Sequence, residues 1–188
     1  MLHRIAEMIV SHFEERGIIN ASEQEREVYI YGFDIAIYGV TSTLSVILVG
    51  LLFSRLPETL LLLTVFYTNQ TLGGGFHANS HLSCFLTMLA GQMLFFAFLL
   101  ISIPVGICTV ILLLSLTILY WYPVVLHKNK RYLMSKMPYF IRRSRIAIII
   151  EMLFSLLVLF FGSQRLIQAL CLSLLLSAVS RMSAVIRR

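Results

Sequence analysis

Residues 82–126 read LSCFLTMLAGQMLFFAFLLISIPVGICTVILLLSLTILYWYPVVL, forty-five positions without one Asp, Glu, Lys or Arg. A helix rises about 1.5 Å per residue, so about 20 apolar residues carry it across a bilayer. The stretch is too long for one crossing and long enough for two. Ser102, Pro104 and Gly106 near its middle mark the turn. The pattern repeats on both sides. Ile35–Ser54 is another uncharged segment of bilayer length, and Thr59–Phe76 is a shorter one with Thr68, Asn69, Gln70 and Thr71 at its far end. Ile146–Phe161 and Leu166–Ile186 follow, separated by Gly162-Ser163-Gln164-Arg165. The expectation is an all-α, polytopic integral membrane protein with about six transmembrane helices. Four spans, with the short second segment and one other re-entrant, is the alternative count.

Composition excludes other classes. The 188 residues are 59% hydrophobic and 13% charged, with a mean hydropathy of +0.88; soluble domains carry about 25% charged residues. Between Asp34 and Lys128 the only formal charges are Arg55 and Glu58, so that stretch offers no water-facing surface. A soluble globular domain, a disordered chain and a disulfide-stapled secreted domain are all ruled out.

Charge is distributed unevenly. Residues 1–34 hold three Arg against seven acids, residues 35–126 balance, and residues 127–188 hold eleven Lys/Arg against Glu151 alone. Basic residues interleaved with apolar spans report membrane orientation rather than nucleic-acid binding. With six spans, the termini, loop 73–81 and loop 127–145 share one side. That side gathers twelve Lys/Arg, and Arg55 and Arg165 fall on the other. Positively charged loops stay cytoplasmic. Both termini are therefore expected in the cytoplasm of a multi-pass protein of the cell membrane.

The N-terminus lacks the basic start and apolar run of a cleavable signal peptide, and Glu7, Glu14 and Glu15 would be misplaced in one. Leu2, Ile5, Ile9 and Phe13 recur at helical spacing opposite Arg4, Glu7 and Glu14. The pattern suits a helix lying on the membrane surface, or equally one packed on its own protein. Gly17 is a stop, and Ser22-Glu23-Gln24-Glu25 is a capping box opening a second helix. Residues 1–33 thus form a cytoplasmic amphipathic region ahead of a transmembrane domain over 34–188.

Chemistry concentrates in Gly73-Gly74-Gly75-Phe76-His77-Ala78-Asn79-Ser80-His81-Leu82-Ser83-Cys84. Three glycines at a membrane edge release the backbone from helical constraint, and Asn79 or Ser80 can cap the next helix. Cys84 then lies about one turn inside that helix, where the partial positive charge of the N-terminus favours the nucleophilic thiolate. His77 is the natural basic partner. On one continuous helix, seven residues would hold the pair about 10 Å apart, so the helix is expected not to run through His77. His81, three residues before Cys84, is the competing base. Cys108 and Cys171 read as small apolar fillers, and a reducing compartment argues against disulfides.

Two other functions fit parts of the pattern. His77, His81 and Cys84 at i, i+4 and i+7 of a helix would line one face as three metal ligands, giving a metal-dependent hydrolase. A non-enzymatic peptide transporter would account for the spans alone. Among the remaining polar groups, Gln70 and Gln92 suit interhelical hydrogen bonds. Glu151 sits about one turn into its span, within reach of Arg143 or Arg145 for pairing at the interface.

Gly74-Gly75-Phe76-His77-Ala78 followed by Cys84, in a six-span chain of this length, resembles the accessory gene regulator B family. The similarity covers essentially the whole chain. The resemblance implies a membrane cysteine endopeptidase of bacterial quorum sensing, a thiol protease needing neither cofactor nor metal. It implies His77 and Cys84 as the catalytic pair and Gly75 as the motif glycine. Some members carry arginine where this chain has Gln70. The implied partner is a small AgrD-like precursor peptide with an amphipathic N-terminal helix and an acidic C-terminal tail. The implied chemistry is maturation: cleavage of the tail, a thioester on Cys84, then closure of a thiolactone or lactone ring to give the autoinducing peptide. Lys128, Lys130, Arg131, Arg142, Arg143 and Arg145 belong to a 19-residue stretch with seven Lys/Arg and no acid. They suit capture of an acidic tail, besides contact with anionic lipid of the bilayer. A homodimer is among the assemblies this reading allows, and nucleic acid is not an expected partner.

Overall fold

Seven helices and no strand occur among the residues that the computed structural model describes, namely 2–76, 80–125 and 136–186 with the side chains of Leu2 and His81 excepted. They are α1 (Leu2–Glu15), α2 (Glu23–Leu52), α3 (Leu56–Gly73), α4 (His81–Leu99), α5 (Val105–Trp121), α6 (Met137–Phe161) and α7 (Gln164–Ile186). The fold class is all-α. Boundaries fall where the sequence resists helix. Gly17 follows α1 at φ +66°, Gly74 follows α3 at φ +72°, and Gly162 caps α6 in an extended conformation. Proline opens α3 and α6 in their first turns, where its missing N–H costs nothing, and Pro104 is the N-cap of α5.

Four helices, α2, α4, α6 and α7, are long and apolar enough to cross a membrane. α5 is shorter at 17 residues, and the 18 residues of α3 include Glu58, Asn69 and Gln70. Apolar side chains face outward in large numbers. Leu113, Leu114 and Trp121 are exposed, and Phe160 and Phe161 are 80% and 85% accessible. Such continuous apolar exposure is a surface for lipid. The chain is a membrane protein.

The chain divides into two compact units, Met1–Val49 and Gly50–Arg188. In the first, α1 packs on its own chain. Ala6 and Val10 are fully buried against Ile30, with Phe33 and Ile37 alongside, and Phe13 meets Phe33 edge-on at 5.8 Å between ring centroids. Small residues at 6 and 10 allow this close approach, which turns the buried stripe slightly away from Ile5 and Ile9. Arg26 ties the pair together through Glu14 at 3.2 Å and Ser11 at 3.0 Å. Ser22 is capped as its spacing predicts: the Glu25 carboxylate accepts from its N–H at 2.9 Å and its hydroxyl at 2.8 Å. The backbone donor, aided by the hydroxyl, holds the Glu25 carboxyl below its ordinary range. The helix opened by this cap does not stop before the apolar segment. Glu23–Leu52 is one helix of 30 residues, about 45 Å long.

In the second unit α7 is the central element, packed against α3, α4, α5 and α6. Leu170, Cys171 and Leu174 of α7 are fully buried among Val65, Cys108, Leu112, Leu119 and Ile148. The far end of this bundle, where the 53–55, 100–104 and 162–165 connections lie, is stapled by polar side chains. The Glu58 carboxylate, only 8% exposed, takes Arg165 at 2.5 Å and Arg55 at 3.6 Å. Gln164 donates to Ser102 and to the Ile103 carbonyl, both at 3.2 Å. Gln168 donates to the carbonyls of Phe98, in the last turn of α4, and of Ile101 just beyond it, at 2.7 and 2.6 Å. Arg55 and Arg165, isolated in the sequence from the other basic residues, thus meet on one carboxylate.

Candidate active site

The opposite end of the bundle carries the glycine-rich segment, and it is organised by a buried cation. Arg181, near the end of α7, is 1% exposed. Its Nη1 donates to the carbonyls of Tyr122 and Pro123, both at 2.7 Å, and its Nη2 donates to the carbonyl of Asn69 at 2.8 Å. These carbonyls belong to the last turn of α5 and its continuation, and to the last turns of α3. Both helices therefore aim the negative ends of their dipoles at one guanidinium. In lipid no water is available for such groups, so a forked cation that satisfies three of them is worth its burial.

The three glycines make room for this arrangement. A Cβ on Gly73 would collide with the Arg181 guanidinium, and one on Gly75 would collide with the Gln70 amide. Gly74 is the position where backbone conformation matters. It sits at φ +72°, and a Cβ there would approach the Val125 carbonyl oxygen to 2.5 Å. At Gly73 and Gly75, then, the missing side chains leave room for the Arg181 guanidinium and the Gln70 amide.

The segment is fixed at several points. The Gly74 N–H donates to the Gln70 carbonyl at 3.0 Å, and the Val125 N–H donates to the Gly73 carbonyl at 2.8 Å. The Phe76 N–H donates to the Ser180 carbonyl and to the Ser180 hydroxyl oxygen, each at 3.1 Å. Gln70 Nε2 donates to the same hydroxyl oxygen at 2.7 Å. Ser144 of α6, itself buried, donates to the Pro123 carbonyl at 2.7 Å. The glycine segment, residues 122–125 that lead toward the basic stretch, the start of α6 and the end of α7 all meet at this end.

Beyond the glycines, α4 begins at His81. Ser80 is its N-cap, extended at φ −136°, and its hydroxyl accepts from the Ser83 N–H at 3.2 Å. The Cys84 N–H donates to the Ser80 carbonyl at 3.0 Å, which seats Cys84 in the first turn. Cys84 is half-buried, whereas Cys108 and Cys171 are fully buried. The metal scheme required one helical face from residue 77 to residue 84, but α4 reaches back only to His81. Among the described residues no three His, Cys, Asp or Glu side chains gather as ligands.

His77, Lys128, Lys130 and Arg131 lie outside the described residues, as does the side chain of His81. Arg142, Arg143 and Arg145 are described and exposed. They stand on α6 and not in a connecting loop, because helix begins at Met137 and arginine sustains it. Arg143 stacks over Tyr139 at 5.1 Å and Arg145 over Tyr120 at 5.3 Å.

Glu151 differs from its sequence reading. Its partner is neither Arg143 nor Arg145 but Asn69, whose Nδ2 donates to both carboxylate oxygens at 2.8 and 3.1 Å and also to the Val65 carbonyl at 3.0 Å. Asn69 thereby links Glu151 to Arg181, since its own carbonyl accepts from the guanidinium. Gln92 is buried, 1% exposed, within α4. Sequence reasoning overlooked Arg181 and Ser180. An arginine inside an apolar span was the available signal for the first; nothing marked the second.

A family model described as AgrB, accessory gene regulator B, matches residues 3–181. No curated protein and no solved structure matches. The family match runs through both compact units and ends on the buried arginine, covering nearly the whole chain, and the chain therefore belongs to the accessory gene regulator B family.

Proposed function

We propose that this protein is a membrane cysteine endopeptidase that matures an autoinducing peptide. Family membership ties the chain to accessory gene regulator autoinducer processing, with an AgrD-like precursor as its partner. The observation that carries the finer reading is the contrast among the three cysteines: Cys84 alone is accessible, and it stands in the first turn of a capped helix.

In this reading His77 takes the proton from Cys84, and the sulfur attacks the scissile carbonyl of the precursor. The C–N bond breaks, His77 returns the proton to the leaving amine, and the acidic tail departs with a new N-terminus. The remaining peptide is held as a thioester on Cys84. A cysteine thiol or serine hydroxyl within that peptide then attacks the thioester carbonyl, frees Cys84 and closes a thiolactone or lactone ring. Thiol-for-thiol exchange is nearly balanced in energy, so water must be kept away from the acyl-enzyme. A site at the lip of a bilayer provides this. Six crossings with both termini and the glycine segment in the cytoplasm, and a peptidase domain over residues 34–188, complete the proposal.

The thioester gives a direct test. Protein mixed with its precursor and quenched in acid should carry the peptide, minus its tail, on Cys84. The adduct should be released by neutral hydroxylamine, with mass spectrometry as the readout. An adduct on another residue, or cleavage with no acyl-enzyme under rapid quench, would reject covalent catalysis by Cys84.

The basic residues supply a second expectation. Exposed arginines attract an acidic tail through water, and salt screens that attraction over about 8–10 Å. Arg142→Gln/Arg143→Gln/Arg145→Gln should raise the KM for precursor about tenfold at low salt, with kcat little changed. The difference from wild type should shrink by 0.5 M salt. A KM that ignores both salt and charge would assign these residues to lipid contact alone.

A further inference from the structure

Ser180 lies on the last helix, 96 residues after Cys84, and no step above uses it. Its position is nevertheless singular. Its hydroxyl oxygen accepts two hydrogen bonds, from the Phe76 N–H at 3.1 Å and from Gln70 Nε2 at 2.7 Å, while its carbonyl accepts a second bond from the Phe76 N–H at 3.1 Å. Phe76 is the residue immediately before His77. Gln70, held by Ser180, packs against Gly75, where a Cβ would collide with its amide. Its Oε1 is buried with no hydrogen-bond partner among the described residues, so Nε2 carries the attachment. One hydroxyl therefore fastens both the segment that leads into His77 and the side chain packed against that segment. Arg181, the next residue, holds the ends of α3 and α5 and fixes the helix from which Ser180 works.

We infer that Ser180, acting through Gln70 and the Phe76 backbone, is a positioning residue that sets where His77 stands for its work on Cys84. This rests on the cysteine peptidase reading above. A general base must lie within about 3 Å of the proton it takes, and an ångström of misplacement is costly in rate. A restraint one residue away from the imidazole is suited to that precision.

The test uses iodoacetamide as the probe and the full-length protein in phospholipid vesicles, with no peptide needed. Site-resolved mass spectrometry follows alkylation of each cysteine. Ser180→Ala should lower the rate at Cys84 about five- to tenfold, toward the value for His77→Ala. Cys108 and Cys171 should stay unreactive, showing an intact core. Ser180→Thr, which keeps the hydroxyl, should restore the rate to within about twofold of wild type. A wild-type rate in Ser180→Ala would overturn the inference. So would a loss that Ser180→Thr fails to restore, or one accompanied by labelling of Cys108 and Cys171, since either marks general loosening. If His77→Ala itself leaves Cys84 at the wild-type rate, the histidine–cysteine pairing falls and the inference with it. If only Ser180→Ala does so, the pairing stands and Ser180 is excluded.

Discussion

Cys84→Ala is expected to lower precursor cleavage by at least about a thousandfold, with the protein still inserted and folded. His77→Ala should lose a similar amount. Nucleophile and base act as a unit, so removing either forfeits nearly all the covalent pathway, and removing both costs little more than removing one. The structural setting makes the comparison informative. Cys84 sits in the first turn of α4, held by the Ser80 cap, and its side chain reaches the surface. Cys108 and Cys171 are buried in the core around α7, where each thiol fills space. Cys108→Ala and Cys171→Ala should therefore retain cleavage while lowering thermal stability in detergent by a modest amount. The measurement is appearance of the released tail from purified, reconstituted variants. A Cys84→Ala protein that cleaves at close to the wild-type rate would end the cysteine-peptidase assignment.

The second large effect concerns stability. Arg181→Met keeps much of the side-chain volume but removes the donors that serve Asn69, Tyr122 and Pro123. The bond to Asn69 is buried, and those to Tyr122 and Pro123 are part-buried. The expected cost is about 1–3 kcal/mol for each buried carbonyl left without its donor. Glu151 would also lose the cation to which Asn69 connects it. Arg181→Lys should fall between wild type and Arg181→Met, because a single ammonium cannot fork to two helix ends. Denaturant titration in mild detergent, followed by helical circular dichroism, reads the difference. Arg181→Met unfolding together with wild type would mean that the helix ends find other donors.

Much of the helical plan was legible in the sequence because it is written in local signals. The Ser102–Gly106 cluster separates α4 from α5, Gly162 ends α6, and Ser80 caps α4, all through residues that favour the end of a helix over its interior. α2 was less legible. Glu23 to Asp34 is charged and aromatic while Ile35 onward is apolar, so the segment looks like two elements. Helix propensity runs through the change of polarity without a breaker, and one helix results. The same limit applies to Arg142, Arg143 and Arg145, which were assigned to a loop by charge and belong to α6 by propensity.

The candidate site was legible in its residues and illegible in its support. Cys84 and the glycines announce themselves through composition. The partners of Arg181 do not, because they are backbone carbonyls 58 to 112 residues away in sequence. Carbonyls leave no mark in residue type. Glu151 shows the same difficulty from the other side. Proximity along the chain suggested Arg143 and Arg145, but helix packing delivered Asn69, 82 residues distant. Which faces meet is a property of the bundle and not of any single span.

The packing of Gly73 and Gly75 against two side chains bears on speed as well as on shape. A supple joint would have to be ordered anew each time a peptide is processed, at about 1–2 kcal/mol for every residue immobilised. Here residues 73–76 are already held by hydrogen bonds and close packing when the chain has folded, so that entropy is lost once per molecule and never per turnover. Substitutions that loosen residues 73–76 are accordingly expected to appear as slower chemistry in a protein that still folds and still captures its peptide.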